Sequence, residues 1–309
     1  MPLPADPEVV DTGHGLVKVL QGIFGPHPGY RPAHAKGILL QGTFKPTVEA
    51  SSLSTATHFH RTSTTVIARF SSSGGFPDLS DTDPSGNPRG LALRFILEES
   101  PRHVHTDIVA HSTPFFPAKD GPEALAFFRS LASGTISDHL SSHPAAQAFV
   151  QAPKPFPTSF ATEKYFGVNA FKFINQDGKE TYFRYRIVPK AGESYLDDDQ
   201  IKAKGPTYLF DDLSTQLEKA SIEFDIVAQL ADIDDVTNDC TVHWPEDRKL
   251  VKLGTVSLNT IKKEDSAAEQ KKIIFDPVPR VEGIESSADP LIDTRAAVYL
   301  ISGRERRAA

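Results

Sequence analysis

The chain has 309 residues, and its 39% hydrophobic and 24% charged side chains are enough for a packed core and too apolar for a disordered chain. A net charge of −7, without a long run of Lys or Arg, argues against nucleic acid as a partner. The one cysteine, Cys240, excludes an intramolecular disulfide and a metal site built from several thiolates.

The N-terminal stretch carries Asp6, Glu8 and Asp11 where a secretory signal needs a basic start and an apolar run. No stretch approaches the roughly 18 apolar residues of a membrane helix. We therefore expect a cytoplasmic protein without a membrane partner. Its organisation is predicted as one domain, with an N-terminal arm (1–29), a barrel with helical insertions (30–260) and a C-terminal segment (261–309).

Several segments alternate apolar and polar residues with period two, as half-buried strands do. They are separated by turn-rich stretches, which favours an antiparallel sheet or barrel. In chain order, these predicted strands are 65–70, 91–97, 181–188, 221–229 and 250–258. The predicted helices are 122–131, 136–150, 211–219 and one from 289 to about 300. The pattern indicates the α+β class, dominated by β.

Three parts of the chain hold residues suited to chemistry. The first is 31–37, Arg-Pro-Ala-His-Ala-Lys-Gly. The second is 68–114, which includes Asn-Pro-Arg-Gly-Leu-Ala-Leu-Arg-Phe and Asp-Ile-Val-Ala-His-Ser-Thr-Pro. The third is 275–306, which includes Phe-Asp-Pro, Gly-Ile-Glu-Ser-Ser and Arg-Ala-Ala-Val-Tyr. The candidate residues in these parts are Arg31, His34, Arg69, Ser71, His111, Arg295, Tyr299 and Arg306.

Each candidate has an ordinary structural explanation when it is taken alone. A single histidine such as His34 is more often a core residue than a catalyst. Arg295 and Tyr299 are four residues apart and share a helix face, which is common in surface helices. Arginines are mostly solvated. The order and number of the motifs therefore decide the interpretation.

In this order, the motifs resemble those of the catalase family, and in particular its short members, the catalase-related peroxidases. The resemblance covers about residues 30–306 and continues through 165–173 and the pair Trp244-Pro245. It implies a catalase-type antiparallel β-barrel with short helices and a C-terminal helix on the proximal side of a haem. The implied cofactor is haem b, iron protoporphyrin IX, and 261–309 becomes its proximal binding segment.

The resemblance also implies roles for matching positions. His34 matches the distal histidine, Ser71 a serine that can orient it, and Tyr299 the tyrosine that ligates iron. Arg295 matches the arginine that partners this tyrosine. The positions that match propionate-binding residues are Arg31, Arg69 and Arg306.

The chain departs from large catalases at His111, where those proteins carry an asparagine that donates a hydrogen bond to peroxide. A histidine there can also donate, but it could instead bind iron or narrow the pocket. The long C-terminal extension of large catalases is also missing. We therefore expect a peroxidase of the oxidative stress response that reduces organic hydroperoxides and hydrogen peroxide with an electron donor, with weak or no catalase activity.

Alternative functions stay open at this point: a true catalase, an enzyme that rearranges lipid hydroperoxides, and a haem carrier or sensor without turnover. The expected partners are a peroxide and a reducing co-substrate, and a homodimer is left open. Two histidine pairs, at 58 and 60 and at 103 and 105, have a spacing that can bind zinc. Since no further ligands are evident, we expect both pairs to be exposed polar positions.

Overall fold

The computed structural model describes residues 2–262 and 266–309. Met1 and residues 263–265 belong to the predicted arm and C-terminal segment, and they lie outside the described residues. The division of the chain after residues 29 and 260 stays a prediction.

Strands and helices alternate along the described residues. The strands are β1 (Gly37–Pro46), β2 (Thr64–Ser71), β3 (Gly90–Glu98), β4 (Val104–His111), β5 (Phe156–Pro157), β6 (Tyr165–Phe166), β7 (Phe171–Ile174), β8 (Glu180–Pro189), β9 (Tyr195–Leu196), β10 (Ile222–Leu230), β11 (Leu250–Ile261) and β12 (Ile284–Ser286). The helices are α1 (Pro7–Phe24), α2 (Val48–Leu53), α3 (Gly121–Ser133), α4 (Ile136–Ser142), α5 (Pro144–Gln151), α6 (Asp198–Lys202), α7 (Tyr208–Lys219), α8 (Ser266–Lys272) and α9 (Leu291–Ala308).

The strands form a closed antiparallel barrel of eight. The order is β10-β11-β1-β2-β3-β4-β6-β8, and the pairing of β8 with β10 closes the ring. β7 continues along the edge of β8, and β12 pairs with β7. A closed ring leaves these strands no free edge. The α+β class with an antiparallel barrel is thus confirmed.

Alternation along the strands separates the barrel interior from its outer surface. On β2, the side chains of Val66, Ala68 and Phe70 belong to the large apolar core, whereas Arg69 and Ser71 line a cavity on the other face. The same alternation holds on β3 and β4. A strand buried on one face and facing a cavity on the other keeps a period-two pattern, which is why the sequence predicted β2 and β3. β4 was not among the predicted strands.

The helices depart from the predictions at several places, and the short helices α2, α6 and α8 were not predicted. Pro144, which lacks an N–H group, begins α5, so the predicted helix 136–150 is two helices separated at His143. The last helix, α9, runs to Ala308, well beyond the predicted end. Gly303 lies inside this helix and packs closely against Ile274. A Cβ at position 303 would be 2.3 Å from Cδ1 of Ile274. The longest missed element is α1, which starts at the N-cap Asp6.

One histidine of the pair at 58 and 60 was interpreted wrongly, since His60 is exposed but His58 is not. His58 lies in a short 3-10 helix, not on a strand, and is packed among Phe44, Phe59 and Phe95 with 1% exposure. It is therefore a core residue. Within residues 2–262 and 266–309, no group of three or more His, Cys, Asp or Glu side chains is arranged to hold a metal ion. None of the described helices combines the length and apolar character needed to span a bilayer.

Candidate active site

All eight candidate residues line one cavity, of about 260 Å³, between the barrel wall and helices α1, α3 and α9. The barrel contributes side chains from β2, β3 and β4, and α9 contributes one face of its helix from Thr294 to Arg306. The apolar part of the wall includes Leu16 of α1 and Phe128 of α3. Segments distant in sequence thus meet at a single site.

The imidazole of His34 lies directly against Gly90 on the barrel wall. A Cβ atom at Gly90 would be 2.8 Å from Nδ1 of His34 and 2.6 Å from Oγ of Ser71. Nδ1 of His34 and Oγ of Ser71 are 3.0 Å apart and form a hydrogen bond. The absent side chain at position 90 therefore provides the space in which the ring and the hydroxyl meet.

Strand register explains this arrangement. Gly37 of β1, Ser71 of β2, Gly90 of β3 and His111 of β4 are paired neighbours in one row across the sheet. Residues in such a row point to the same face. Because position 90 is glycine, Ser71 and His111 flank open space that accommodates His34, whereas the guanidinium of Arg69 lies against Gly37.

The backbone of His34 is held in an unfavourable conformation. Its φ angle of 57° lies in the left-handed region, which L-residues other than glycine rarely adopt. The N–H of His34 donates to the carbonyl of Ser73 at 2.9 Å, and Nη2 of Arg69 donates to the carbonyl of His34 at 3.0 Å. Strain of this kind persists where the surroundings fix it, which is typical of functional positions.

The imidazoles of His34 and His111 are both kept neutral. Burial, together with the positive charges of Arg69, Arg31 and Arg295, lowers the pKa of His34 to about 3. Burial, followed by the charges of Arg295 and His34, also lowers the pKa of His111 to about 3. Both rings are therefore uncharged near neutral pH, and a neutral imidazole retains one lone pair with which to accept a proton.

A chain of hydrogen bonds supports Tyr299 on α9. Nη2 of Arg295 is 3.4 Å from the hydroxyl of Tyr299, and Nη1 of Arg295 donates to the amide oxygen of Asn169. Nδ2 of Asn169 donates to the carboxylate of Asp289 at 2.7 Å. Burial raises the pKa of Asp289. Asn169 thus links the guanidinium next to Tyr299 to a buried carboxyl group at the start of α9.

Three arginines form a buried cationic cluster at another part of the cavity: Arg31, Arg69 and Arg306. Arg31 and Arg306 both donate to the carbonyl of Ile273, at 3.0 and 2.7 Å, and Nε of Arg69 donates to Oε1 of Gln270 at 3.1 Å. Within the described part of the chain, none of the three forms a salt bridge with a carboxylate.

The cluster is electrostatically unfavourable as it stands. Burial, and the charges of Arg69 and Arg306, lower the pKa of Arg31 well below its usual range. Burial lowers the pKa of Arg69 to about 9 and that of Arg306 to about 10. Buried charges are normally paired. The cluster therefore fits an anionic ligand.

An ion pair on the barrel fixes the segment that carries Ile273. Arg94 of β3 donates twice to Asp107 of β4, at 2.9 and 2.7 Å, and also to the carbonyl of Ile274. The same carboxylate accepts the N–H of Asp276 at 2.7 Å. The carbonyl groups that position Arg31 and Arg306 are thus attached to the barrel wall.

Several contributors to this site were not among the candidates. Gly90 and Asn169 lie within the motif segments 68–114 and 165–173, so the sequence indicated their positions but not their roles. Leu16 and Leu20 have helical spacing with Gly13 and Val17 on α1, and this pattern could have revealed the helix that covers the cavity.

Comparison with known proteins identifies the family. The family model described as Catalase matches residues 29–309. A catalase-related peroxidase of Synechococcus elongatus is 32% identical over 96% of this chain and 88% of its own length. A catalase-related peroxidase of Mycolicibacterium paratuberculosis is also 32% identical, over 96% of this chain and 95% of its own length.

A solved structure shows the same fold. Catalase A from Saccharomyces cerevisiae superposes on 90% of this chain with a TM-score of 0.79 at 22% sequence identity. The chain spans 61% of the length of that catalase. With the family model matching nearly the whole sequence, the chain belongs to the catalase family.

Proposed function

We propose that this chain is a haem-dependent peroxidase that reduces organic hydroperoxides and hydrogen peroxide with an electron donor. The observation that carries the proposal is the shared cavity. It brings Tyr299 and Arg295 on α9 together with His34 and Ser71 on the barrel, beside an arginine cluster without carboxylate partners in the described chain. Membership of the catalase family supports the same cofactor class.

The residues fit haem b. Its two propionates are the carboxylates that the cluster of Arg31, Arg69 and Arg306 lacks, and guanidinium groups are suited to bind them. Tyr299 would hold the iron through its oxygen, and the adjacent Arg295 would stabilise that oxygen as an anion. Tyr299 is half-buried and also packs against the apolar cluster of Leu39, Ile273 and Phe275, which covers part of the phenol ring.

The neutral ring of His34 is suited to proton transfer. With Nδ1 donating to Ser71, Nε2 keeps the lone pair and takes the proton of the hydroperoxide. His34 then returns this proton to the oxygen that leaves as an alcohol, or as water when hydrogen peroxide is reduced. When bound, haem would supply the two electrons that cleave the O–O bond. The donor would replace these two electrons, and with two protons the remaining oxygen would leave as water.

Two observations favour a peroxidase over a true catalase. The chain has nearly the full length of two relatives named catalase-related peroxidase, and it carries His111 in the distal row. The test compares oxygen release from hydrogen peroxide alone with reduction of an organic hydroperoxide in the presence of a phenolic donor. We expect donor oxidation to dominate. Rapid oxygen release without donor oxidation would establish a true catalase instead.

A further inference from the structure

His111 has two ring nitrogens in different environments. Nδ1 accepts a hydrogen bond from the main-chain N–H of Thr113 at 3.2 Å. Nε2 is buried and has no hydrogen-bond partner among the described residues. The ring lines the cavity in the row with Ser71 and Gly90. Buried polar atoms are nearly always partnered, so a lone one facing a cavity points to a ligand atom.

The partner of Nδ1 decides where the ring proton is. A main-chain N–H can only donate, so Nδ1 must carry a lone pair. The low pKa of His111 keeps its ring neutral, and a neutral imidazole has one proton. That proton is therefore on Nε2. The free nitrogen of His111 is a hydrogen-bond donor with no lone pair available for a metal ion.

We propose that His111 binds the peroxide as a fixed donor, with its Nε2–H directed at one peroxide oxygen while Nε2 of His34 accepts the proton of the other. The proposal rests on the proposed function. His111 keeps its own proton throughout, so it orients the peroxide and stabilises charge on the departing oxygen without exchanging a proton. Because Nε2 is protonated, His111 does not ligate iron.

The surroundings of the His34 and His111 rings support these separate roles as acceptor and donor. His34 lies over Gly90, and His111 is the next residue in the same row, on the adjacent strand. Both rings line the same cavity, so a small molecule bound there can contact both. Ser71 forms its hydrogen bond with the ring of His34, and the N–H of Thr113 donates to the ring of His111. One ring is thus set as an acceptor and its neighbour as a donor.

The test uses the haem-loaded protein in its reduced, carbon monoxide-bound form. A donor beside the bound carbon monoxide lowers its C–O stretching frequency. We compare the wild-type protein with His111→Leu, which lacks a donor, and His111→Gln, which keeps an amide donor. We expect the frequency to rise in His111→Leu and to return toward the wild-type value in His111→Gln. An unchanged frequency in His111→Leu would overturn the proposal.

Peroxide kinetics and nitrogen NMR complete the test. Loss of one such donor lowers rates by roughly a hundredfold or more, so we expect this decrease in His111→Leu at equal haem content, with partial recovery in His111→Gln. Nitrogen NMR of histidine-labelled protein reports the tautomer directly, and a proton on Nδ1 of His111 would contradict the proposal. The NMR measurement does not require haem, so a failure of the proposed function is distinguishable from a failure of this inference.

Discussion

Gly90→Ala is the most direct perturbation of the distal site. Gly90 lies in a regular strand, and its φ is not in the left-handed region, so alanine meets no backbone strain there. The new Cβ would be 2.8 Å from Nδ1 of His34 and 2.6 Å from Oγ of Ser71, whereas ordinary contacts begin at 3.4 Å. The ring must therefore retreat by about 0.6 Å and the hydroxyl by about 0.8 Å.

This displacement predicts a specific kinetic loss. A misplacement of about 1 Å can lower an enzymatic rate by about a hundredfold, so we expect about a tenfold or larger decrease in the rate of reaction with peroxide. Stopped-flow absorbance of haem-loaded protein measures this rate. Haem content should be unchanged, because the three atoms nearest the new methyl group belong to Ser71 and His34, not to Tyr299 or the arginine cluster.

Two further variants make the result interpretable. Ser71→Ala removes the hydrogen bond to His34 without pushing the ring, and we expect a smaller loss, of about tenfold at most, from a bond worth about 1 kcal/mol. Gly22→Ala makes the same chemical change in α1, where nothing lies within 4 Å of the new Cβ, and should leave the rate unchanged. A Gly90→Ala protein that folds, binds haem and reacts at the wild-type rate would refute the steric role of this glycine.

Three other perturbations test other parts of the structure. His34, His58 and His111 have pKa values lowered to about 3, so the unfolded chain binds protons first as pH falls below about 6.5. The unfolding free energy, measured by denaturant titration, should therefore be lower at pH 5 than at pH 7, with a contribution of about 2 kcal/mol from each of the three histidines. Equal stability at both pH values would contradict this. Arg31→Leu should weaken haem binding by about tenfold to a hundredfold, measured by competition with a haem-binding protein, since a charged hydrogen bond contributes about 1.5–3 kcal/mol. Asn169→Leu should lower the unfolding free energy by about 1–3 kcal/mol, because it leaves Asp289 and Arg295 without their shared partner, and an unchanged denaturation midpoint would argue against this link.

The barrel was predictable because its strands have one apolar face. Residues 65–70, 91–97, 181–188 and 250–258 fall within observed strands, and 221–229 begins one residue before β10. Two-residue strands such as β5, β6 and β9 carry no periodic signal, since two residues cannot establish a period. The same rule gave a wrong result at His58, where a period-two spacing occurs outside any strand.

For the candidate site, the residues were predictable from the sequence, but some of the contacts between them were not. The motifs placed all eight residues in one cavity, because each motif sits on a segment that the barrel register or α9 brings there. Local spacing could not reveal the link from Asn169 to Asp289, since the two residues are 120 positions apart and meet only after β12 pairs with β7. Nor could it reveal which nitrogen of His111 is free, because this depends on the course of the main chain at Thr113.

The two sides of the cavity are held by different kinds of structure. Ser71, Gly90 and His111 keep their spacing through strand register, and a slip of one residue would turn every side chain of a strand to the opposite face. Tyr299, in contrast, depends on the docking of α9, which the Arg94–Asp107 ion pair assists by fixing the segment that packs on this helix. The barrel wall therefore provides the rigid half of the site. Weakened helix docking should release the cofactor before it disturbs the distal residues.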